Sequence, residues 1–472
     1  MSIRVEEPCL RGRVFRISPS LVAILLGCGP GEEPNTGAAP GNREPSAGVA
    51  GHASSAGGNG AGSGGSGLAR GGSANAGDVS SPAGSPGQGG DTSAGAGAPA
   101  ADAPSTLPDA DLERLSGCPG VFNPGQILDY SVVMAAADHA AMLADTTYSL
   151  AFPAQMSCGN EAPIHVAVER KRSGGATKVG LKVDVNRYAT EQTFHGLKKL
   201  GFENGVSSGS NADDATARDV LAEYLGWRLM QRAGVISSRA AFVRLRINDS
   251  PFMAYVNVEQ IDKRFLASRL GEDDGWLYKK SGGDGDGLKT HESDGVANPY
   301  EKNFCFWHGG CAVPGPEALL SNLPQWLDIP QLLAFGATNA FISNPDGMFF
   351  KDNNYYHYDS PSGRRTYLPW DLDTTMGREV DVLNGGVPGG TRKFADVLFT
   401  HWRDDYVAIL ERLLSRDLTH EVIASEIDQA ARVAGTAIDA DPALQGTAHE
   451  ASAQLEAWWL TRRQALTTAL QR

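Results

Sequence analysis

Residues 31–100 set the first limit on what this chain can fold into. Of these 70 residues, 46 are Gly, Ala or Ser, none is aromatic, and the only larger aliphatic side chains are Val49, Leu68 and Val79. Such a segment cannot bury enough apolar surface to offset the conformational entropy that folding would remove. We therefore expect residues 29–104 to be a disordered linker. The folded part should span residues 105–472, long enough for a two-lobed core or for two small domains.

The first 28 residues have the pattern of an export signal. Four arginines precede a short apolar run, Leu21–Leu26. A basic segment followed by such a run is typical of a signal peptide, and the run is too short to span a bilayer as a mature helix. Residues 25–28, LLGC, resemble a bacterial lipobox, so we expect residues 1–28 to be a lipoprotein signal and Cys28 to carry the lipid. Ordinary signal cleavage and secretion is the alternative.

Cysteine usage agrees with export. Once Cys9 and Cys28 are set aside, four cysteines remain, at positions 118, 158, 305 and 311. An even number is compatible with two disulfides in an oxidising compartment. We expect Cys305 to pair with Cys311, which leaves Cys118 for Cys158. A zinc site that uses His308 is the rival interpretation, but the CxxC spacing of structural zinc sites is missing.

Net charge and hydropathy exclude two classes of partner. The formal net charge is −14, whereas nucleic-acid binding needs a basic face. No stretch after residue 28 is apolar enough to cross a membrane, so membrane contact is expected only through a lipid on Cys28.

The folded part begins with short strands and one long helix. Alternating apolar residues predict strands in IHVAVERKR and KVGLKVDVNRY. A helix follows, with Asp213 or Asp214 as its N-cap and Gly234 at its end. A hairpin in AAFVRLRIN and MAYVNVE leads through EQID to a second helix, KRFLASRL. This order of elements is that of the small lobe of a protein kinase, and the segment after residue 394 is predicted to be helical.

Residues 344–377 contain the strongest candidate for a site. NNYYHYDS and RRTYLPW flank a Ser-Pro-Ser-Gly turn, so they predict a hairpin with Asp346 before its first strand and Asp371 just past its second. Hard oxygen ligands that converge in this way suit Mg²⁺ together with phosphate oxygens. The alternative is that these residues only cap turns. However, Pro369 and Trp370 would bury Asp371, which requires compensation of its charge.

These segments resemble the CotH family of atypical protein kinases, related to spore coat protein H. The similarity covers residues 125 to the end and rests on KVGLKVDV with FHGLKKLGF, VEQID, LYKK and, most specifically, PDGMFFKDNNYYHYDS followed by LPWDLDTTMG. The resemblance implies a divergent, two-lobed α+β kinase-like fold over residues 105–472, with a β-rich small lobe and a mainly helical large lobe. It also implies that ATP, with Mg²⁺ or Mn²⁺, serves to phosphorylate Ser or Thr of a protein substrate.

The resemblance also implies roles for individual residues. Asp346 matches the catalytic Asp of the family, and Asp371 matches its metal-binding Asp in the W-D-x-D motif, with Asp373 in support. Asn354, or Asn353 beside it, would offer a neutral oxygen to the metal. Among the strand lysines, Lys182 or Lys178 would meet the nucleotide phosphates.

Two further assignments follow from the order of elements. Glu259, Gln260 and Ile261 would present backbone groups to adenine, and Asp262 would lie near the ribose. The alternative is that Glu259 and Asp262 form surface ion pairs with Lys263 and Arg264. Arg218 would hold a phosphate group, pair with an acidic residue of the large lobe, or simply be solvated.

The sequence thus predicts an exported kinase, either tethered to the cell envelope as a lipoprotein or secreted, that phosphorylates surface or secreted proteins. The alternative is a non-catalytic surface or coat-like protein that keeps the fold in order to bind a partner.

Overall fold

The computed structural model describes residues 120–172, 178–206, 215–280, 287–291, 295–307, 310–384 and 393–471. The predictions for the signal peptide at residues 1–28, for the linker at residues 29–104 and for Cys118 lie outside the described residues. So do those for His308 and for Asp213 and Asp214 as helix caps. The expected α+β composition is confirmed.

Seven strands form a closed barrel. They are β1 (Leu128–Val133), β2 (Ala151–Cys158), β3 (Ile164–Arg170), β4 (Leu181–Asp184), β5 (Lys199–Glu203), β6 (Ala240–Ile247) and β7 (Met253–Val258). Their order is β1-β2-β3-β4-β5-β7-β6, and a parallel pairing of β6 with β1 completes the ring. Alternate residues such as Val166, Val168, Leu181 and Val183 fill the interior, as the period-two pattern predicts. The sequence analysis expected a β-rich lobe but not its closure.

Two helices accompany the barrel. Helix α1 (Ala136–Ala144) follows β1, and α2 (Ala217–Arg232) lies between β5 and β6. The side chain of Thr216 caps α2 by accepting a hydrogen bond from the backbone N–H of Asp219 at 3.0 Å. Most residues of α2 are buried, because this helix packs against the barrel on one side and against C-terminal helices on the other.

A second sheet and shorter helices follow the barrel. Helix α3 (Lys263–Leu270) is capped by Asp262 and ends at Gly271, which has a φ of 77°. The sheet has the order β11-β10-β8-β9, with β8 (Trp276–Lys280), β9 (Gly287–Leu288), β10 (Tyr355–Asp359) and β11 (Arg365–Pro369). Strands β10 and β11 are the predicted hairpin, with Tyr355 opposite Pro369.

The remaining helices build most of the second apolar core. They are α4 (Pro316–Trp326), α5 (Ile329–Phe341), α6 (Met348–Lys351), α7 (Lys393–Leu398), α8 (Arg403–Arg412), α9 (His420–Asp439) and α10 (Ala448–Leu470). Buried side chains of α2, α5, α9, α10 and the second sheet form one cluster, separate from the barrel interior. Within the described part of the chain, no helix combines the length and apolarity that a membrane span requires.

Both close cysteines pair as expected. Cys305 and Cys311 form a disulfide that closes the segment before α4. Cys158 is buried at the end of β2, and burial raises the pKa of its thiol to about 11.

Candidate active site

Asp346 lies in a tight turn between α5 and α6. Its carboxylate accepts hydrogen bonds from the side-chain amides of Asn353 at 3.1 Å and Asn354 at 2.8 Å, and from Lys351 Nζ at 2.6 Å. The Asp346 side chain is 14% exposed, so a ligand can still reach it. Three donors thus hold one carboxylate in a fixed orientation.

The sequence of this turn explains its shape. Gly347 packs so closely on α5 that an added Cβ would overlap the side-chain amide of Asn339. Asn344, two residues before Asp346, donates to Asn339 Oδ1 at 3.0 Å and accepts a hydrogen bond from Thr374 Oγ1 at 2.5 Å. The turn is therefore bonded both to α5 and to the segment that follows Asp371.

Asp371 follows β11 and lies close to Asp346. The backbone N–H of Trp370 donates to the Asn354 carbonyl at 3.2 Å, which draws the two ends of the hairpin together. Asp371 and Asn354 have positive φ values of 53° and 56°, a region that Asp and Asn enter more readily than most residues. Burial raises the pKa of Asp371 and the charge of Asp346 raises it further, whereas two lysines oppose the shift. The structure therefore brings these two predicted carboxylates together.

Helix α2 contributes a further carboxylate, Glu223, which is 3% exposed. Gly226, one turn later, lets the helix approach residues 370–376, which begin with Trp-Asp-Leu-Asp and are called the WDLD segment. An added Cβ at Gly226 would lie 3.0 Å from Thr375 Oγ1 and 3.3 Å from Leu372 Cβ. Burial raises the pKa of Glu223 well above its usual range, and so do the charges of Asp373 and Asp371. The sequence analysis missed Glu223, although a Glu beside Val220 and Tyr224 on the apolar face of a helix is a visible signal.

Lys171 is the cation at the centre of these acids. It directly follows β3 and forms an ion pair with Glu203 of β5. Burial lowers the pKa of its ammonium, whereas the charges of Asp371, Glu223 and Asp373 raise it. Lys171 is not predictable from the sequence, because the run Glu169-Arg170-Lys171-Arg172 gives no sign of which side chain turns inward.

Lys279 on β8 is a second cation that the sequence analysis missed. Its Nζ lies 4.5 Å from the centre of the Trp370 ring, and Lys171 Nζ lies 5.8 Å from the same ring. Burial, with a further contribution from Lys171, lowers the pKa of Lys279 to about 8, while Asp371 counteracts the shift. Two ammonium groups therefore flank the Trp that precedes Asp371, at distances typical of cation–π contacts.

Lys279 is also part of the lining of a cavity of about 930 Å³. This cavity is lined by side chains from β4, β5, β8 and α3 and from the segment before α3: Lys182, Asp184, Asn186, Lys198, Lys199, Gln260, Ile261, Asp262, Lys263, Arg264, Asp273, Leu277, Lys279, Lys289, Thr290 and Tyr356. Its size falls within the range of small-molecule sites. Seven of these side chains are basic and three are acidic, although the whole chain has a formal net charge of −14.

The two predicted lysines have different environments. Lys182 lines the cavity, pairs with Glu169 at 2.6 Å and is close enough to lower the pKa values of Lys171 and Lys279. Lys178 does not line the cavity. Its buried ammonium donates to Asp441 Oδ2 at 2.9 Å and to the Ala254 carbonyl at 2.5 Å. The prediction that Lys178 meets phosphates is therefore wrong, because its donors are committed to the contact between barrel and C-terminal helices.

The segment after β7 differs in part from its prediction. Glu259 is buried and binds Arg239 at 2.8 Å and Arg269 at 2.6 Å, rather than Lys263 and Arg264. Its backbone N–H donates to the Arg239 carbonyl at 2.9 Å and is therefore not free for adenine. Burial raises the pKa of Glu259, but the two arginines outweigh it and the net shift is downward.

Gln260, Ile261 and Asp262 line the cavity, as a nucleotide-binding segment would. The Asp262 carboxylate accepts hydrogen bonds from the backbone N–H groups of Arg264 at 3.0 Å and Phe265 at 3.1 Å. Its observed role is thus to cap α3, and contact with a ribose stays a prediction.

Arg218 joins α2 to the WDLD segment. Its guanidinium donates to the carbonyl oxygen of Met376 and lies 3.5 Å from Asp219. The predicted acidic partner in the large lobe is replaced here by a backbone carbonyl, and a phosphate contact stays a prediction.

Asp373 and Asn354 remain candidates for metal binding. Asp373 acts electrostatically on both Glu223 and Lys171, which places it within the acidic cluster. Asn354 donates its amide N–H to Asp346, so its amide oxygen is the atom that could face a cation.

A second group with metal-ligating atoms occurs elsewhere among the described residues. Oxygen or nitrogen atoms of Glu301, His357 and Asp359 lie within 4.8 Å of one another. However, Arg365 binds Asp359 at 2.6 and 2.7 Å and Glu301 at 2.8 Å. Because the guanidinium already bonds both carboxylates, this group fits a buried ion pair better than a metal centre.

One comparison with known proteins identifies a family for this chain. A family model described as CotH kinase protein matches residues 173–466, a range that contains Glu223, Asp346, Asp371 and Asp373 and begins just after Lys171. No curated protein matches the chain.

Among solved structures, the chain is similar to the proinflammatory kinase CtkA of Helicobacter pylori, with 10% identity over 66% of this chain and 93% of that one and a TM-score of 0.31. It is also similar to a chain of the HipA, HipB and operator DNA complex of the Shewanella oneidensis MR-1 toxin–antitoxin system, with 15% identity over 74% of each chain and a TM-score of 0.31. Scores this low carry no weight for the assignment below.

Proposed function

Because the chain belongs to the CotH kinase protein family, we propose that it transfers the γ-phosphate of ATP to Ser or Thr hydroxyls of a protein substrate. The observation that carries this proposal is one charged cluster, in which Asp371 interacts with Asp346, Lys171 and Lys279, and Glu223 interacts with Lys171 and Asp371. Elements as distant in sequence as β3, α2 and β11 contribute to this cluster, and a structural role does not require such a concentration of buried charge.

The donor set fits a divalent cation of the magnesium class. Asp371 and Asp373 offer carboxylate oxygens, and Asn354 offers an amide oxygen, all within the same acidic cluster. Mg²⁺ or Mn²⁺ prefers such hard oxygen ligands together with phosphate oxygens. When bound, the ion supplies charge neutralisation to the phosphate groups. Asp346 raises the pKa of Asp371, and Asp373 and Asp371 raise the pKa of Glu223, so an added cation would stabilise the ionised forms of these acids.

Asp346 is suited to orient the acceptor hydroxyl. Asn353, Asn354 and Lys351 fix its carboxylate, so an acceptor oxygen that donates to it is held in one direction. In the transfer, the acceptor oxygen forms a bond to the γ-phosphorus while the bond from that phosphorus to the β–γ bridging oxygen breaks. ADP leaves, and the hydroxyl proton passes to Asp346.

The lysines are suited to hold the phosphates. Lys171 and Lys279 lie beside Asp371, and Lys182 is near both of them. Ammonium groups in a site of low polarity stabilise phosphoryl oxygens more strongly than they do in water. Apolar side chains of the same cavity, including Ile261, Leu277 and Tyr356, provide a surface for the adenine ring.

We extend the proposal to the location of the protein. The signal-like residues 1–28 and the cysteine usage support export, either with a lipid on Cys28 or in secreted form, and the substrate would then be a surface or secreted protein. A protein placed outside the cell would meet ATP only where that compartment supplies it.

Incubation with labelled ATP and Mg²⁺ tests the proposed activity. The full chain, Asp346→Asn, Asp371→Asn and the matched control Asp405→Asn, an exposed residue of α8, would be compared with casein as a generic acceptor. We expect transfer to fall at least about 100-fold in the first two variants and to persist in the control. Equal incorporation by all four proteins, or none by any, would contradict the assignment and favour a non-catalytic binding protein.

A further inference from the structure

The basic side chains of the cavity form two groups. The inner lysines are Lys182, Lys279 and Lys289; Lys171 does not line the cavity but is close enough to lower the pKa of Lys279, as Lys182 and Lys289 also do, whereas the charge of Asp371 raises it. The outer basic residues are Lys198, Lys199, Lys263 and Arg264, which stand at the start of β5 and the start of α3. Lys199 is close enough to Asp262 to lower the pKa of the Asp262 carboxyl. The first residue of β5 therefore lies near the residue that precedes α3.

The inner lysines suffice for a triphosphate. Ordinary kinases meet the nucleotide phosphates with one strand lysine, a glycine-rich loop and metal ions. Lys171 and Lys279 beside Asp371, with Lys182 near both of them, already exceed that number of lysines. The outer basic residues are therefore not needed to neutralise ATP.

Lys263, the first residue of α3, contributes little to the stability of the fold. Lys263 and Arg264 occupy the first turn of α3, where the helix dipole disfavours positive charge, and no acidic residue is present in that turn. Lys263 has a weak partner, Asp274, at 3.8 Å, and the two side chains are 54% and 85% exposed. Exposed pairs of this kind contribute little to stability.

Among the described residues, basic side chains outnumber acidic ones in the cavity lining. The acidic side chains there are Asp184, Asp262 and Asp273, and Asp262 is already bonded to the backbone at the start of α3. The described lining therefore has four more basic than acidic side chains in a chain of net charge −14, although Lys182 is paired with Glu169. A concave surface of one sign attracts ligands of the opposite sign and raises their association rate.

We propose that the outer basic residues bind an acidic polypeptide segment, rich in Asp or Glu, that carries the acceptor hydroxyl toward Asp346. This proposal rests on the proposed function and names the class of its protein substrate. The continuity of one cavity from the inner lysines to the start of α3 gives the acceptor and the nucleotide a shared site. The volume of about 930 Å³ is at the upper end for a single small ligand, which leaves room for both.

Direct peptide binding tests the proposal apart from catalysis. The full chain, saturated with a non-hydrolysable ATP analogue and Mg²⁺, would be titrated against fluorescein-labelled peptides with one central Ser flanked by Glu, by Gln or by Lys. We expect the Glu peptide to bind about tenfold more tightly than the Gln peptide at low ionic strength. This preference should shrink at physiological salt.

Charge reversal locates the binding surface. Lys198→Glu/Lys199→Glu and Lys263→Glu/Arg264→Glu should each weaken binding of the Glu peptide about tenfold and change binding of the Gln peptide less than twofold. The matched control, Lys302→Glu/Arg432→Glu, reverses two exposed charges outside the cavity and should keep the preference. Thermal unfolding of each variant shows whether it folds.

Each other outcome has a definite meaning. Equal or tighter binding of the Gln or Lys peptide, or loss of the preference in the control variant, overturns the acidic-acceptor proposal and leaves the kinase assignment intact. Binding of a single-stranded oligonucleotide in place of the Glu peptide also overturns it, because the cavity would then serve a nucleic acid. Failure of the unaltered chain to bind the ATP analogue contradicts the proposed function itself.

Discussion

Two lysines that lie seven positions apart in the sequence should respond to substitution in opposite ways. Lys171→Met removes the cation that faces Asp371 and Glu223, whereas Lys178→Met removes one partner of a buried ion pair with Asp441. If the cluster around Lys171 is the active site, the first substitution reduces phosphoryl transfer and the second reduces stability.

The environment of Lys178 sets the size of its effect. Its side chain is 2% exposed, that of Asp441 is fully buried, and both donor contacts of the ammonium are internal. Removing one member of such a pair typically costs about 3 to 5 kcal/mol of unfolding free energy. The lower value applies here, about 3 kcal/mol, because Asp441 keeps hydrogen bonds from the backbone N–H groups of Ala254 and Ala443. For a domain of this size the unfolding temperature should fall by about 4 °C.

Lys171 should behave differently. Its side chain is 22% exposed, and its loss raises the pKa values of Asp371 and Glu223, so these acids can take up a proton rather than unfold the protein. Loss of a charge that stabilises the transition state reduces kcat/KM by about 100- to 1,000-fold. The assays are thermal unfolding and the initial rate with labelled ATP, with both variants compared on the same acceptor.

The reasoning fails if Lys171→Met retains full activity, or if Lys178→Met loses activity without losing stability. Either result would mean that the lysine that holds the phosphates is Lys178 or Lys182, as the sequence alone first indicated. A loss of stability in Lys171→Met comparable to that in Lys178→Met would show that the acidic cluster is a structural ion network.

Three further predictions address single residues. Glu259→Gln leaves two buried arginines without their carboxylate and should reduce unfolding free energy by about 3 to 5 kcal/mol, measured by urea denaturation. The pKa of Asp145 is lowered to about 2, mainly by the Thr147 hydroxyl, so its contribution to stability is present above pH 3.8 and is lost as the pH falls through 2. Asp145→Asn should therefore remove part of the acid dependence of the unfolding temperature; an unchanged acid profile would contradict this. Lys351→Ala removes the 2.6 Å contact to Asp346 and should lower kcat about tenfold with little change in the KM for ATP, measured by steady-state kinetics.

Local signals account for the part of the site that the sequence predicted. The hairpin follows from Tyr-rich segments around a Ser-Pro-Ser-Gly turn, and strand pairing then carries Asn354 next to Trp370 and Asp371. The helix after Asp262 was also readable, because an N-cap and the terminal Gly271 mark its ends.

The missed residues depend on contacts between distant segments. Lys171, Glu223 and Lys279 reach the site only when the barrel closes and α2 packs against the WDLD segment. The parallel pairing of β1 with β6 that closes the barrel joins residues more than a hundred positions apart, and no local pattern encodes it. Lys178 looked equivalent to Lys182, because the sequence gives the order of charged residues and not which of them finds a buried partner.

Glu223 is the omission that sequence reasoning could have avoided. It shares the apolar face of α2 with Val220 and Trp227, where an ionisable side chain is unfavourable unless a partner is near. The close approach that gives it partners, at Gly226, is a property of the folded protein and is visible only there.

The central claim is that Asp346 and Asp371 face one cation and one triphosphate. The most direct test is the anomalous scattering of Mn²⁺ in crystals grown with a non-hydrolysable ATP analogue. We expect a manganese peak within about 2.2 Å of an Asp371 carboxylate oxygen, with the γ-phosphate between that ion and Asp346. A manganese peak at Glu301 and Asp359, or a nucleotide bound away from both Asp346 and Asp371, would contradict the claim.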